Sequence, residues 1–306
     1  MEGILPLYKP KGMTSHDCVW KIRKLYRTKK VGHTGTLDPD VTGVLPICIG
    51  RATKIAEYIT DAGKCYEGEV TIGYSTTTED RSGEVVEEDN REKSFSRADI
   101  LSCLEQLQGE ITQTPPMYSA VKVNGKKLYE YARAGIEVER PSRQVTIYHM
   151  ELLDDRQVFS GTHVSFRFRV QCSKGTYIRT LAVTIGEMLG YPAHMSDLIR
   201  VQSASYQLED CYTFEQIERA VEEERQLELL QPLETGLYHL PKTEINDTVA
   251  EKVINGAVFS TTEVAVPAVQ EPFVMMYKNV AMAIYKTHES KANRIKPVKV
   301  LRIELP

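Results

Sequence analysis

The apolar pattern predicts an α+β protein carrying a small β-rich module at its C-terminal end. Strict alternation marks strands: Tyr66, Gly68, Val70, Ile72 and Tyr74 share one face of residues 66–74, and Val164, Phe166, Phe168 and Val170 one face of residues 162–172. Capped helical segments lie between them, as where Ser96 is followed by Asp99 and Gly109 closes the run. Beyond residues 231–242, a linker candidate containing Pro232, Gly236 and Pro241, the chain breaks into short β-rich runs. Its 306 residues suit roughly two domains.

In chain order, residues 5–8 suggest a short strand and Lys-Pro-Lys-Gly a turn. Ser15 is expected to cap a helix reaching Arg27, with Val19, Ile22 and Leu25 inward and basic residues opposite. The stretch 31–49 then reads V-G-H-T-G-T-L-D-P-D-V-T-G-V-L-P-I-C-I, with Asp38 and His33 among Gly32, Gly35, Gly43 and Pro39. Glycine admits positive φ, and the residue before proline is pushed out of the α region. Asp38 is therefore held in a non-helical loop before an apolar strand, 44–49. Taken alone, such an aspartate is most often a turn residue bonding its own backbone.

Residues 52–59 read as a second helix, and 75–91 as a polar, acidic loop without a role in chemistry. The helix after Ser96 points Ile100, Leu101, Leu104 and Leu107 inward. Next comes an Asn124-Gly125 hairpin turn and a basic, Tyr-rich helix ending at Gly135. There Lys122, Lys126, Lys127 and Arg133, with Tyr118, Tyr129 and Tyr131, suit phosphates and bases, while tyrosines at helical spacing equally suit a core. Two strands follow, and the second, 162–172, runs into S-K-G-T-Y-I-R-T-L. That loop opens a helix burying Ile178, Leu181, Ile185 and Leu189 and ending at Gly190. Tyr177 and Arg179 lie off the apolar stripe near its start, where an anion is favoured. Thr213 and Gln216 form a capping box for an acidic helix. Runs at 263–269, 273–277, 280–285 and 298–303, with a helix near 249–255, suggest a small β-barrel.

Apolar content of 42% and charge of 26% are those of a globular domain. No stretch approaches the ~18 apolar residues of a membrane span, and no signal peptide is apparent. Six cysteines without C-x-x-C suggest neither zinc nor disulfides, so a reduced, cytoplasmic protein is expected. The net charge of −4 is unevenly spread: residues 9–33 hold eight Lys/Arg against Asp17, and 278–302 seven against Glu289. Basic segments of this kind suit a polyanion or simply a solvated face.

Several ordered motifs carry a family likeness. K-P-K-G-M-T-S-H-D, G-H-T-G-T-L-D-P, G-V-L-P-I-C-I-G, K-C-Y-E-G, M-Y-S-A-V-K-x-x-G-K-K-L-Y-E-Y-A-R-x-G and S-K-G-T-Y-I-R-T together resemble the bacterial tRNA pseudouridine synthases of the TruB family, over about the first 240 residues. The resemblance implies a catalytic domain, 1–240, on a mixed, largely antiparallel sheet flanked by helices, and a PUA-like RNA-binding β-barrel, 244–306. It implies conversion of uridine-55 in the tRNA T-loop to pseudouridine, in a monomer with no obligate protein partner, no membrane and no cofactor or metal. Consistent with that, no P-loop G-K-[ST] is present. Asp38 matches the family's catalytic aspartate, with addition to the base, attack at C1′ and removal of a sugar proton as its open modes of action. Arg179 resembles its paired arginine, Tyr66 the tyrosine stacking on the base, Tyr177 and Leu198 further substrate contacts, and His33 the histidine holding the base out of its stack. Two other functions fit these motifs: a non-catalytic tRNA-binding or folding module, and a guide-RNA-dependent pseudouridine synthase.

Overall fold

The computed structural model describes residues 1–267 and 272–306. The chain opens with β1 (Gly3–Lys9), α1 (Ser15–Leu25), β2 (Val31–His33) and β3 (Thr42–Ile49). A short 3₁₀ turn leads to α2 (Ala56–Asp61), then β4 (Lys64–Ile72), β5 (Tyr74–Thr76), β6 (Val85–Glu88) and β7 (Lys93–Ser96). There follow α3 (Arg97–Gln106), β8 (Gly109–Gln113), the β9–β10 hairpin (Lys122–Val123, Lys126–Lys127) and α4 (Leu128–Arg133). Next are β11 (Arg143–Leu152), β12 (Val158–Gly161), β13 (Val164–Cys172), α5 (Ile178–Leu189), β14 (Ala193–Ser203), β15 (Tyr206–Gln207) and α6 (Phe214–Glu222). The C-terminal part adds β16 (Lys242–Glu244), α7 (Asp247–Val253), β17 (Phe259–Ser260), β18 (Phe273–Tyr277), β19 (Val280–Thr287) and β20 (Arg294–Val300).

The main sheet runs β1-β3-β14-β4-β13-β11-β8, with β2 on β3 and β15 on β14. Its pairs are antiparallel except β14 with β3, so the mixed, largely antiparallel α+β architecture holds. The alternation of β13 works as expected: Phe166, Phe168 and Val170 are buried, and Arg167 and Arg169 meet Glu67 on the opposite face. One large core gathers α1, α3, α5 and α6 against the sheet through Ile22, Leu104, Leu181, Ile217 and their neighbours. The C-terminal strands form an open half-barrel, β16-β18-β19-β20-β17.

Several local expectations are corrected. Thr14, not Ser15, caps α1: its hydroxyl accepts the Asp17 N–H at 3.0 Å, and Asp17 accepts the Thr14 N–H at 2.8 Å. The helix stops at Leu25, and Arg27 turns out of it at φ 48°. Leu101 is exposed and Cys103 takes the inward place, because the buried stripe of α3 follows Ile100, Cys103 and Leu104. The segment 52–59 splits into the 3₁₀ turn Gly50–Ile55 and α2. Two strands before the S-K-G-T motif become three, β11, β12 and β13. The 231–242 stretch is no free linker, since Leu233 and Leu237 pack in a 3₁₀ turn as core. Residues 263–267 form no strand, and 268–269 of that expected run lie outside the described residues.

Candidate active site

The 34–42 loop is pinned by groups distant in sequence. The Leu37 N–H donates to the Ser15 hydroxyl at 2.9 Å, and the Thr34 hydroxyl to the Pro46 carbonyl at 3.1 Å. The Lys9 ammonium and the Gly12 N–H both reach the Pro39 carbonyl, at 3.0 and 2.8 Å. At the loop's exit Gly43 has φ 107°, and a Cβ there would lie 2.2 Å from the Arg200 carbonyl oxygen. Only glycine lets β3 pass β14 at this point.

Asp38 projects from this loop towards Arg179, whose Nε stands 3.0 Å from Oδ2. Arg179 is only 5% exposed although it sits in the first turn of α5. Its other nitrogens donate to backbone carbonyls of two further loops, Thr78 at 3.0 Å and Tyr118 at 2.9 Å. The Asp80 carboxylate lies 3.9 Å away. One planar fork therefore ties the carboxylate to three chain segments, a geometry that lysine cannot copy.

Asp38 lies between two cavities. One, about 440 Å³, is lined by Asp38, Tyr66, Tyr177, Leu198 and Arg200 among others. The second, about 320 Å³, has Asp38, Asp80, Tyr118, Arg179 and Leu198 in its wall. Tyr66 on β4 and Leu198 on β14 are each 8% exposed, and Leu198 pairs across to Gly68. A side chain at position 68 would press on Phe168 and Leu198 at 3.1 and 3.3 Å. Tyr177 takes the N-cap of α5: its N–H donates to Gln113 at 3.0 Å, and Arg143 covers its ring at 4.8 Å. His33 stands apart and lines neither cavity. Its Nδ1 accepts the Gly35 N–H at 3.3 Å, and its ring meets His16 edge-on at 5.5 Å.

Burial pushes the Asp38 carboxyl above the usual carboxylate range; Arg179 is the strongest opposing influence, and Asp80 adds to the rise. His33 is pulled down to about 4, first by burial and then by His16 and Arg200, so it is neutral at pH 7. Beneath the loop lie three buried cations. Arg200, 1% exposed, donates to the Val44 and Gly35 carbonyls at 2.7 and 3.2 Å. Lys64 donates to Thr60 and Ala62 at 2.6 and 3.0 Å, and burial lowers it to about 8. Lys9 is lowered too, chiefly by burial. These donors satisfy backbone carbonyls, and Lys9 adds positive charge near Asp38.

Asp38, Arg179, Tyr66, Tyr177 and Leu198 converge on these cavities, whereas His33, expected to hold the base out of its stack, lines neither and accepts the Gly35 N–H. The sequence reading missed Arg200, Lys64 and the 77–83 loop. That loop lies inside the stretch taken as inert, yet Thr78 and Asp80 reach Arg179, and Glu79 accepts the Thr180 hydroxyl at 2.7 Å. An acidic loop carries no sequence signal of that contact. Among the described residues, no cluster of His, Cys, Asp or Glu could hold a metal ion.

In this fold, a half-buried carboxylate clamped by arginine faces the cavities walled by β4 and β14. A chain from the crystal structure of a Cbf5-Nop10-Gar1 complex superposes with a TM-score of 0.76 at 29% identity, over 98% of this chain and 85% of that one. A chain of an H/ACA RNP bound to a substrate RNA containing 2′-deoxyuridine gives 0.74 at 25% identity, over 98% and 85%. Residues 23–178 match the TruB family pseudouridylate synthase N-terminal domain, and residues 179–238 the tRNA pseudouridylate synthase B C-terminal domain. The chain belongs to the TruB family of pseudouridylate synthases. It is 59% identical to tRNA pseudouridine synthase B of Geobacillus thermodenitrificans, over 99% of this chain and 100% of that protein. The Geobacillus kaustophilus protein of the same name is 65% identical over 84% of this chain and 90% of its own length.

Proposed function

We propose that this chain isomerises uridine-55 in the T-loop of tRNA to pseudouridine, with Asp38 as the acting carboxylate. The observation that carries this reading is the Asp38–Arg179 pair set between two cavities, one of them walled by Tyr66, Tyr177 and Leu198. A stacked base cannot reach such a carboxylate, so the nucleotide must be flipped into the cavity. The N1–C1′ bond breaks and C5–C1′ forms; the C5 proton is lost and N1 ends with a proton, so the balance needs no oxidant. Addition to the base, attack at C1′ and removal of a sugar proton all begin from ionised Asp38, which Arg179 favours. Tyr66 and Leu198 supply the walls against which the flipped base packs, Tyr177 lines the entrance, and His33 holds the loop that presents Asp38.

The enzyme acts in the cytoplasm as a monomer without an obligate protein partner, and residues 244–306 form a PUA-like RNA-binding module beside the catalytic domain, 1–240. The likeness to a chain of a Cbf5-Nop10-Gar1 complex favours a second reading, a guide-RNA-dependent pseudouridine synthase that acts with partner proteins. Identities of 59% and 65% to proteins named tRNA pseudouridine synthase B support the stand-alone enzyme. The test incubates purified wild type and Asp38→Asn with a synthetic T-stem-loop and maps pseudouridine at each uridine. Product at one loop uridine with wild type alone is expected. Product with both proteins would overturn the role of Asp38, and binding without product in either would favour a binding module or a missing guide.

A further inference from the structure

The outer face of α1 holds a cationic cluster that the site above does not use. Trp20, the chain's one tryptophan, is 59% exposed there, and the Lys24 ammonium lies 3.5 Å from its ring centroid. Trp20, Arg23, Lys24, Arg27, Thr28 and Lys29 together line an open cleft of about 350 Å³. Among the described residues no carboxylate pairs with Lys24, Arg27 or Lys29; the ion pair of α1 is Lys21 with Glu218, at 2.8 Å. Arg23 donates to the Val31 carbonyl at 3.1 Å and so braces the cleft against β2. Uncompensated cations beside an exposed aromatic ring suit a sugar-phosphate backbone, and the ring keeps the Lys24 charge in place.

The position of the cleft narrows its ligand. Ser15, the first residue of α1, holds Leu37 of the Asp38 loop through its hydroxyl. A helix rises ~1.5 Å per residue, so Trp20 lies about 8 Å and the last helical residue, Leu25, about 15 Å along the axis from that contact, with the turn at Arg27 following it. A nucleotide at Asp38 does not reach so far, whereas the duplex that carries it does. We infer that the Trp20–Lys29 face is a backbone site for the phosphates of the RNA stem adjoining the loop that enters the active site. The inference rests on the proposed RNA substrate.

The sole tryptophan makes it directly measurable. Titration with an unmodified tRNA transcript, a T-stem-loop and a loop-only oligonucleotide should quench Trp20 fluorescence with the two stem-bearing RNAs and not with the third. The triple variant Lys24→Gln/Arg27→Gln/Lys29→Gln, with an unchanged melting temperature, should flatten the slope of log K against log salt by about 0.9 per lost phosphate contact. It should raise KM roughly tenfold at unchanged kcat, the mark of uniform binding. Unquenched fluorescence, or an unaltered slope and KM in an enzyme whose wild type is active, would overturn the inference. Quenching by the stem-bearing RNAs without any pseudouridine would leave this site standing and sink the catalytic reading instead.

Discussion

Asp38 illustrates how much of a residue's chemistry is imposed by its surroundings. Burial raises its carboxyl and Arg179 opposes the rise, so activity should fall as pH drops through an apparent pKa above the ordinary 3.8. Arg179→Gln should move that acid limb to higher pH and lower kcat while leaving RNA affinity nearly intact; pH–rate profiles of both proteins test this. Asp38→Asn, still folded, should lose activity by ~10³-fold or more, in the range of a positioned acid or base. The stability linkage of Asp38 runs the opposite way to its activity. Its raised folded pKa contributes stability below the unfolded value, which is lost as pH rises through the folded one. His33, lowered to about 4, loses stability on acidification from about 6.5 towards 4. The unfolded chain takes its proton first, at up to about 1.4 kcal/mol per pH unit. Denaturant melts of wild type and His33→Gln across that window should show the variant with the flatter acid limb.

At the scale of elements, sequence legibility tracked local signal. β13 alternates cleanly and was readable, as were the Ser96 cap of α3 and the Gly190 stop of α5, whereas Gly109 begins β8 rather than ending α3, which already closes at Leu107. β14 was not readable, although it lies in the middle of the sheet and carries Leu198 and Arg200. Register shifts at Met195/Asp197 and Arg200/Gln202 break its alternation, and its polar Ser196, Asp197 and Gln202 hide a buried strand. The candidate site was readable where its residues, such as Asp38, Tyr66 and Arg179, sat within multi-residue motifs. It was opaque where a backbone carbonyl, such as that of Thr78 or Tyr118, does the holding, because carbonyls leave no trace in sequence. The β3–β14 crossing offers a sharp contrast between glycines. Gly43→Ala drives a Cβ into the Arg200 backbone at positive φ and should cost roughly 2–5 kcal/mol. Gly32→Ala meets nothing within 4 Å and should change stability by ~0.5 kcal/mol or less. Chemical denaturation of the two variants checks both values.

Across the whole molecule, the C-terminal half-barrel is fused to the catalytic sheet by apolar packing. Both faces of β18 are buried: Phe273, Met275 and Tyr277 enter the module's own core, whereas Val274 and Met276 join Ile4, Cys48, Ile55 and Leu237. Lys299 with Glu57 and Arg302 with Glu234 add pairs across the same junction, at 3.0 and 3.4 Å. Removing residues 244–306 should therefore do more than weaken tRNA binding. It should uncover that apolar face, lower the melting temperature by several degrees and increase binding of a hydrophobic dye. A truncated chain as stable as the full one would show that the junction contributes little. The crossing at Gly43 also bears on how the chain is born. β14 fits between β3 and β4, yet it leaves the ribosome about 160 residues after β3 begins. At ~5–20 residues per second, the nascent sheet waits roughly 8–30 s for its central strand. Through most of that interval Asp38 is already made but lacks Arg179, and until β14 emerges it lacks Arg200, so on the roles proposed for these residues a growing chain stays inactive until about two thirds of it is made, and its open strand edges are guests for chaperones.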